Sequence, residues 1–189
     1  MTWLFVYGSL LPAGSATLPP DAQPCDLRGW RRSWGVAMDN RVDLPGYKHF
    51  VTPEGERPEL MVAFLSIDPQ AGATVNGVAL PVAEDELPGL DGRERNYARV
   101  DVTDAVEPRL DGRVWAYAGL DGARERLSQG LREGRVAIAS SYHERVLAGF
   151  DLLGQRDRFA RLTAAPPAPV TDLEVVLHAP RTEPRSAGR

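Results

Sequence analysis

What most restricts this chain is the order of its patterns: strand-like segments fill the stretch to residue 118, and helix-like segments follow. Residues 2–7, TWLFVY, form a β-branched and aromatic run that meets Gly8, the pattern of a buried strand ended by a turn. Residues 11–26 carry Pro12, Pro19, Pro20 and Pro24 among small residues and read as a loop. Residues 27–38 read as extended, and 43–47 as a turn centred on Pro45-Gly46. A second buried strand is expected over 60–67, closed by Asp68-Pro69. A third is expected over 75–82, where Gly77 marks a bulge or the close approach of another group. Residues 97–102 and 114–118 alternate polar and apolar side chains, as two further strands would.

The helical part begins at Asp121, an N-cap for a helix over 123–133 with Leu127 and Leu131 on one face and Gly134 as its stop. Ser140 or Ser141 caps a second helix over 142–153, whose apolar stripe is Val146, Leu147, Phe150 and Leu153. Phe159 and Leu162 mark a short third. After Ala164 prolines gather; 171–178 fits a strand and 180–189 is expected to be loose. Strands first and helices last, without βαβ alternation, is an α+β pattern. It describes a small curled sheet or barrel flanked by helices rather than a doubly wound parallel sheet. The domain is placed at 1–163, with a Pro-rich, partly disordered segment at 164–189.

Composition removes several functions. The net charge of −4 argues against nucleic acid or an anionic membrane as the main partner, since both require a basic footprint. Cys25 stands alone and has no basic neighbour to activate it, and His49, His143 and His178 lack the spacing of helical metal ligands. No metal or cofactor is expected. No stretch approaches the ~18 apolar residues of a membrane span, and no basic region precedes the opening strand. The expected address is the cytoplasm.

Two places carry chemistry. Tyr7-Gly8-Ser9-Leu10 ends a buried strand in a glycine turn, where successive backbone N–H groups can bind an anion without a basic side chain. Taken alone, the same string reads as a plain strand-ending turn. In Leu87–Tyr97, Pro88 starts a helix of about two turns. Leu87, Leu90 and Glu94 then share one apolar face, where a carboxylate acquires the raised pKa of a general acid/base. The alternative is a surface pair between Glu94 and Arg93, Arg95 or Arg99.

Together these segments resemble a known family. Phe5-Val6-Tyr7-Gly8-Ser9-Leu10 is similar to the YGSL signature of the γ-glutamylcyclotransferases, including their ChaC branch. Leu90-Asp91-Gly92-Arg93-Glu94, with Tyr97 after it, is similar to the family's LDxRE…Y segment. Gly35-Val36-Ala37, Arg41 and Leu44-Pro45-Gly46 resemble the arginine and Pro-Gly region between the two motifs. The arginine segment itself departs from the ChaC-type run. The resemblance covers roughly residues 3–118 and implies a curled sheet or barrel flanked by helices. It implies an amine-releasing lyase, formerly classed as an acyltransferase, that cyclises a γ-glutamyl amide to 5-oxoproline without a cofactor.

Under this resemblance Glu94 is the general acid/base, and the backbone of Gly8, Ser9 and Leu10, with Tyr7 beside it, holds the substrate carboxylate. Tyr97 bonds the substrate or Glu94, and Arg41 is a further carboxylate ligand, unless it is simply a solvated charge between Asp39 and Asp43. The partner is a small γ-glutamyl compound such as glutathione, a γ-glutamyl dipeptide or a γ-glutamylamine; the oligomeric state is open. A non-catalytic binding module of the same fold is the alternative. Trp30 and Trp34 read as packing, Ser140 and Ser141 as caps. Arg124, Arg126, Arg132 and Arg135 read as a solvated helix face.

Overall fold

The structure, a computed structural model, describes residues 1–12, 17–43 and 47–178. Strand β1 (Thr2–Val6) is buried at every position because it is paired on both sides. It runs antiparallel to β4 (Met61–Pro81) and parallel to β7 (Arg113–Gly119). A strand so placed covers both faces, and its sequence is a continuous apolar run. The longest ladder joins β2 (Gln23–Asp39) to β4, antiparallel from Gln23 opposite Ala79 to Asp39 opposite Met61. The edges are β5 (Tyr97–Asp101) on β7 and β6 (Val106–Glu107) on β2. The sheet order is β5-β7-β1-β4-β2-β6, with β8 (Val136–Ala139) also on β4 and β9 (Val170–Thr171) on β8. β3 (Lys48–Val51) and β10 (Glu174–Leu177) make a separate pair.

Four α-helices complete the described residues: α1 (Leu87–Arg93), α2 (Asp121–Arg132), α3 (Ser140–Leu152) and α4 (Arg156–Leu162). The architecture is the α+β arrangement of a strongly curled sheet flanked by helices. α3 packs against the chain beyond β1, where a Cβ on Gly149 would lie 2.7 Å from that of Leu11. Leu11 is fully buried there and anchors the chain just beyond the first strand.

Several expectations hold in detail. Pro88 does open α1, and Gly134 follows the end of α2. A Cβ on Gly77 would run into the Val6 carbonyl oxygen and the Phe5 ring, so this position needs glycine for close approach. Trp34 is core, and Trp30 packs against it.

Other expectations are corrected. Segments 60–67 and 75–82 belong to one strand, β4. Asp68-Pro69 does not close it, because Pro69 falls opposite Trp30 at a register shift, where the ladder is already broken. The expected loop over 11–26 ends early, since β2 begins at Gln23. Asp121, Ser140 and Ser141 do not cap. α2 starts after Leu120 and α3 after Ala139, neither with a side-chain cap, because α3 leaves β8 without an intervening loop. The two serines hold the returning chain instead. Ser140 Oγ accepts from the Leu173 N–H, and Ser141 Oγ donates to the Leu173 carbonyl at 2.6 Å. Leu131 is 42% exposed; Gly130 takes the buried place, packed against Met61 and Val136. The arginine face of α2 is not wholly solvated, for Arg124 pairs with Asp68 at 2.6 Å and Arg126 reaches into the fold.

Structure continues across the boundary placed at 163. β9 and β10 pair with β8 and β3, and Leu173 between them is fully buried. The turn centre Pro45-Gly46 and the expected loose end at 180–189 lie outside the described residues.

Candidate active site

After β1 the chain passes Tyr7, which is buried, and enters a turn closed by the Leu11 N–H on the Gly8 carbonyl at 3.0 Å. The φ of Gly8 is not positive, nor is that of Ser9 or Leu10, so the turn does not use glycine's left-handed region. Instead glycine leaves room. A Cβ here would stand 3.6 Å from Leu65 and 3.7 Å from the Tyr142 hydroxyl, both of which face the cavity beside the turn. The N–H groups of Ser9 and Leu10 donate to no described group.

The second component comes from the end of α1. Glu94 is its C-cap residue, donating its N–H to the Leu90 carbonyl, and the Tyr97 N–H then bonds the Glu94 carbonyl at 2.9 Å. This turn feeds the chain into β5. Leu87 is buried and Leu90 packs on the core, so the face shared with Glu94 does point inward.

Both components meet in one cavity of about 340 Å³, its open mouth included. Tyr7, the Gly8–Leu10 turn, Glu94 and Tyr97 line it together with Phe5, Val6, Leu65, Tyr117 and Tyr142. The tyrosine hydroxyls are engaged. Tyr7 donates to the Tyr117 carbonyl at 2.6 Å, Tyr97 to the Leu65 carbonyl at 2.8 Å and Tyr117 to Asp91 at 2.8 Å. Tyr142 accepts from the Leu65 N–H at 3.2 Å. Burial raises the pKa of each, so these phenols stay neutral. Glu94 is the one carboxylate in the lining, and no described group hydrogen-bonds its oxygens. Burial lifts its pKa above the ordinary carboxylate value, while the positive charges of Lys48 and Arg93 pull in the other direction.

Arg41 stands apart from this cavity. It is exposed, and its guanidinium grips Asp39 two residues earlier through Nε at 2.9 Å and Nη2 at 2.7 Å. The Tyr97 hydroxyl bonds the Leu65 carbonyl and not the Glu94 carboxylate. Sequence reasoning passed over Tyr117, Tyr142 and Leu65, which arrive from β7, α3 and β4. It also passed over Lys48 in β3, whose ammonium packs 4.7 Å from the Phe64 ring centre. Tyr142 sat in a string read for its serines, and a Lys in a four-residue strand carries no local signal at all. Cys25 is buried, with its thiol pushed up to about 12, which leaves it inert. Among the described residues no cluster of metal-ligating side chains occurs, and no helix is long and apolar enough to cross a membrane.

The curled sheet flanked by helices is an architecture this chain shares with other solved structures. Among similar solved structures is an uncharacterised human protein, 15% identical, with a TM-score of 0.50 over 87% of this chain and 88% of that one. YkqA from Bacillus subtilis is 13% identical, with a TM-score of 0.51 over 87% of this chain and 56% of that one. A structure described as a γ-glutamyl cyclotransferase is 14% identical, with a TM-score of 0.44 over 87% and 88% of the two chains. No protein-family model and no curated protein sequence matches the chain. These likenesses concern the fold; activity has to be argued from the site.

Proposed function

We propose that the protein is a γ-glutamylcyclotransferase, converting a γ-glutamyl amide or peptide to 5-oxoproline with release of the amine. One observation carries this reading: Glu94, raised in pKa by burial, shares a cavity with the turn of Gly8, Ser9 and Leu10. The N–H groups of Ser9 and Leu10, which donate to no described group, suit the substrate's α-carboxylate, and the neutral tyrosines supply polar walls without a competing charge.

The chemistry asks little more. The substrate's α-amine nitrogen attacks its own γ-carbonyl carbon, a C–N bond closes the five-membered lactam, and the original amide C–N bond breaks. The α-ammonium gives up two protons in becoming the lactam N–H, the leaving nitrogen gains two in departing as an ammonium, Glu94 relays them, and no water is consumed. Holding the chain folded for intramolecular attack supplies ~7–11 kcal/mol of the barrier. A carboxylate whose pKa is raised by burial is a better base than an exposed one, which suits both halves of the transfer.

The test is 5-oxoproline release from glutathione, γ-glutamyl dipeptides and γ-glutamylamines, with Glu94→Gln in parallel. Product from any of them, lost in the variant, supports the reading. A folded protein that yields no product but is stabilised against heat by glutamate or 5-oxoproline is instead a binding module.

A further inference from the structure

Away from the cavity just described, β3 and β10 carry a cluster of titratable groups that the reaction does not use. Their ladder sets Val176 opposite His49 and Leu177 opposite Lys48, and the His178 N–H donates to the Tyr47 carbonyl at 2.7 Å. Side chains alternate across a strand pair, so Glu174, Val176 and His178 share a face with His49, while Lys48 belongs to the other. On the shared face His49 Nδ1 lies 3.0 Å from His178 Nε2, with the ring centres 4.6 Å apart. Asp43 Oδ1 stands 3.4 Å from the same His178 nitrogen, and Arg57 holds that oxygen at 2.5 Å.

Two imidazole nitrogens at this distance share one hydrogen. One ring donates its N–H and the other accepts on a bare nitrogen, an arrangement open to the neutral pair and to the pair with a single added proton. A second proton sets N–H against N–H, so the bond is lost and two positive charges face each other. Asp43 opposes that repulsion, but its charge is already shared with Arg57. The charges bearing on His49 are those of Arg57, His178 and Asp43. Burial first, then Arg57 and His178, draw its pKa below the ordinary histidine value, and Asp43 pulls the other way. α3, which also packs on β10, contributes none of these charges, and Glu174 sits at the far end of the strand, opposite Val51.

The two strands are not equally held. Fully buried Asn40 brackets Phe50 in β3, donating to its carbonyl at 2.9 Å and accepting its N–H at 2.8 Å. No side chain of β10 is buried, and Val175, Val176 and Leu177 are 47, 38 and 76% exposed, so little apolar burial supports the strand. The chain before it is pinned at Leu173, which is fully buried and bonded to Ser140 and Ser141. A two-stranded ribbon with so little burial is marginal on its own, which makes the histidine contact a sizeable part of what fastens it.

We propose that His49, His178 and Asp43 form a pH-operated clasp, which holds β10 on β3 while the two rings share a hydrogen and releases it, hinged at Leu173, once both rings are protonated. A histidine whose folded-state pKa is lowered gives stability that is complete above its unfolded value, ~6.5, and is lost as pH falls through that value toward the folded one. The clasp is therefore shut in neutral solution and opens over mildly acid pH. It does not depend on the reaction proposed above.

Amide hydrogen exchange, corrected for the intrinsic rate at each pH, reads the clasp in the β10 amides bonded to β3, that of His178 among them. Between about pH 7.5 and about pH 5 their protection should fall ~10-fold or more, while that of β1 and β4 stays unchanged. His49→Gln and His178→Gln should each remove most of that pH dependence. His178 lies just past the end of β10, so its variant keeps the test alive if His49→Gln disturbs β3. Protection in β10 that holds steady across the range, or that falls just as far in either folded variant, overturns the proposal. A loss spread equally over β1 and β4 overturns it too, since that marks global unfolding rather than release of one strand.

Discussion

Arg32 is withdrawn from water completely and Glu94 in part, and the fold treats the two in opposite ways. Arg32 is 0% exposed and every arm of its guanidinium is used. Nε donates to Thr163 Oγ1 at 2.8 Å, Nη1 to the carbonyls of Asn76 at 2.8 Å and Tyr7 at 3.3 Å, and Nη2 to Asn76 Oδ1 at 2.7 Å. The rings of Phe159 and Phe150 lie 4.4 and 4.9 Å from its central carbon. Burial pulls its pKa down to about 9, but the group remains a cation at neutral pH and ties the end of β1 to β4 and α4. Glu94, by contrast, has no hydrogen bond to its oxygens from any described group, and burial pushes its pKa up. A buried charge with its bonds made is architecture. One left without bonds is a cost that a protein bears at a functional site, where the missing partner arrives with the substrate.

The largest expected effect comes from removing the unsatisfied charge. Glu94→Gln should lower 5-oxoproline formation by ~10²–10⁴-fold. It should nevertheless keep or raise the melting temperature at neutral pH. The folded-state pKa of Glu94 is raised, so its contribution to stability is present at low pH and is lost as pH rises through that pKa. Relative to the unaltered protein, the variant should therefore gain stability on moving from acid to neutral pH. Thermal melts across that range check the sign, and a melting temperature that falls at neutral pH would erase the contrast with Arg32.

Arg32→Leu is the complementary experiment. It strands the Asn76 and Tyr7 carbonyls, and breaking such a buried set by removing one partner costs ~3–5 kcal/mol. Urea titration measures it; a loss below about 1 kcal/mol would mean these bonds are not structural. A smaller loss, ~1–3 kcal/mol, is expected for Gly77→Ala by the same titration, because its Cβ meets the Val6 backbone oxygen, which has little freedom to retreat. The smallest effect sharpens the picture of Glu94 itself. Lys48 favours the ionised carboxylate, so Lys48→Met should move the acidic limb of the kcat/KM profile to higher pH. A limb that stays put or moves down would show that Lys48 does not set the acidity of Glu94.

The contrast also separates what was legible from what was not. Glu94 could be reached from sequence because its inward face follows from Leu87 and Leu90 on the same short helix, a local geometric relation. Arg32 could not, since its acceptors come from Tyr7, Asn76, Phe159 and Thr163, scattered over the whole chain. The serines at 140–141 misled for a related reason. A hydroxyl next to a helix start satisfies the cap pattern whatever it finally bonds, and here Leu173 from the returning chain takes it. Arg41 shows the reverse case: its sequence allowed both a substrate carboxylate and its acidic neighbours, and Asp39, two residues away, holds its guanidinium.

By itself the sequence determined the α+β class, the buried first strand, the short helix from Pro88 and the two motifs that meet in the cavity. Each of these follows from periodicity, turn chemistry or short-range spacing, which a linear string carries. Only the tertiary structure decided that Tyr117 and Tyr142 join Tyr7 and Tyr97 in walling the site, that Lys48 lies near Glu94, and that Asp68-Pro69 interrupts no strand. Those outcomes depend on how the curled sheet brings β1, β4, β7 and α3 to one place, and burial and charge at a point in space have no counterpart in local pattern.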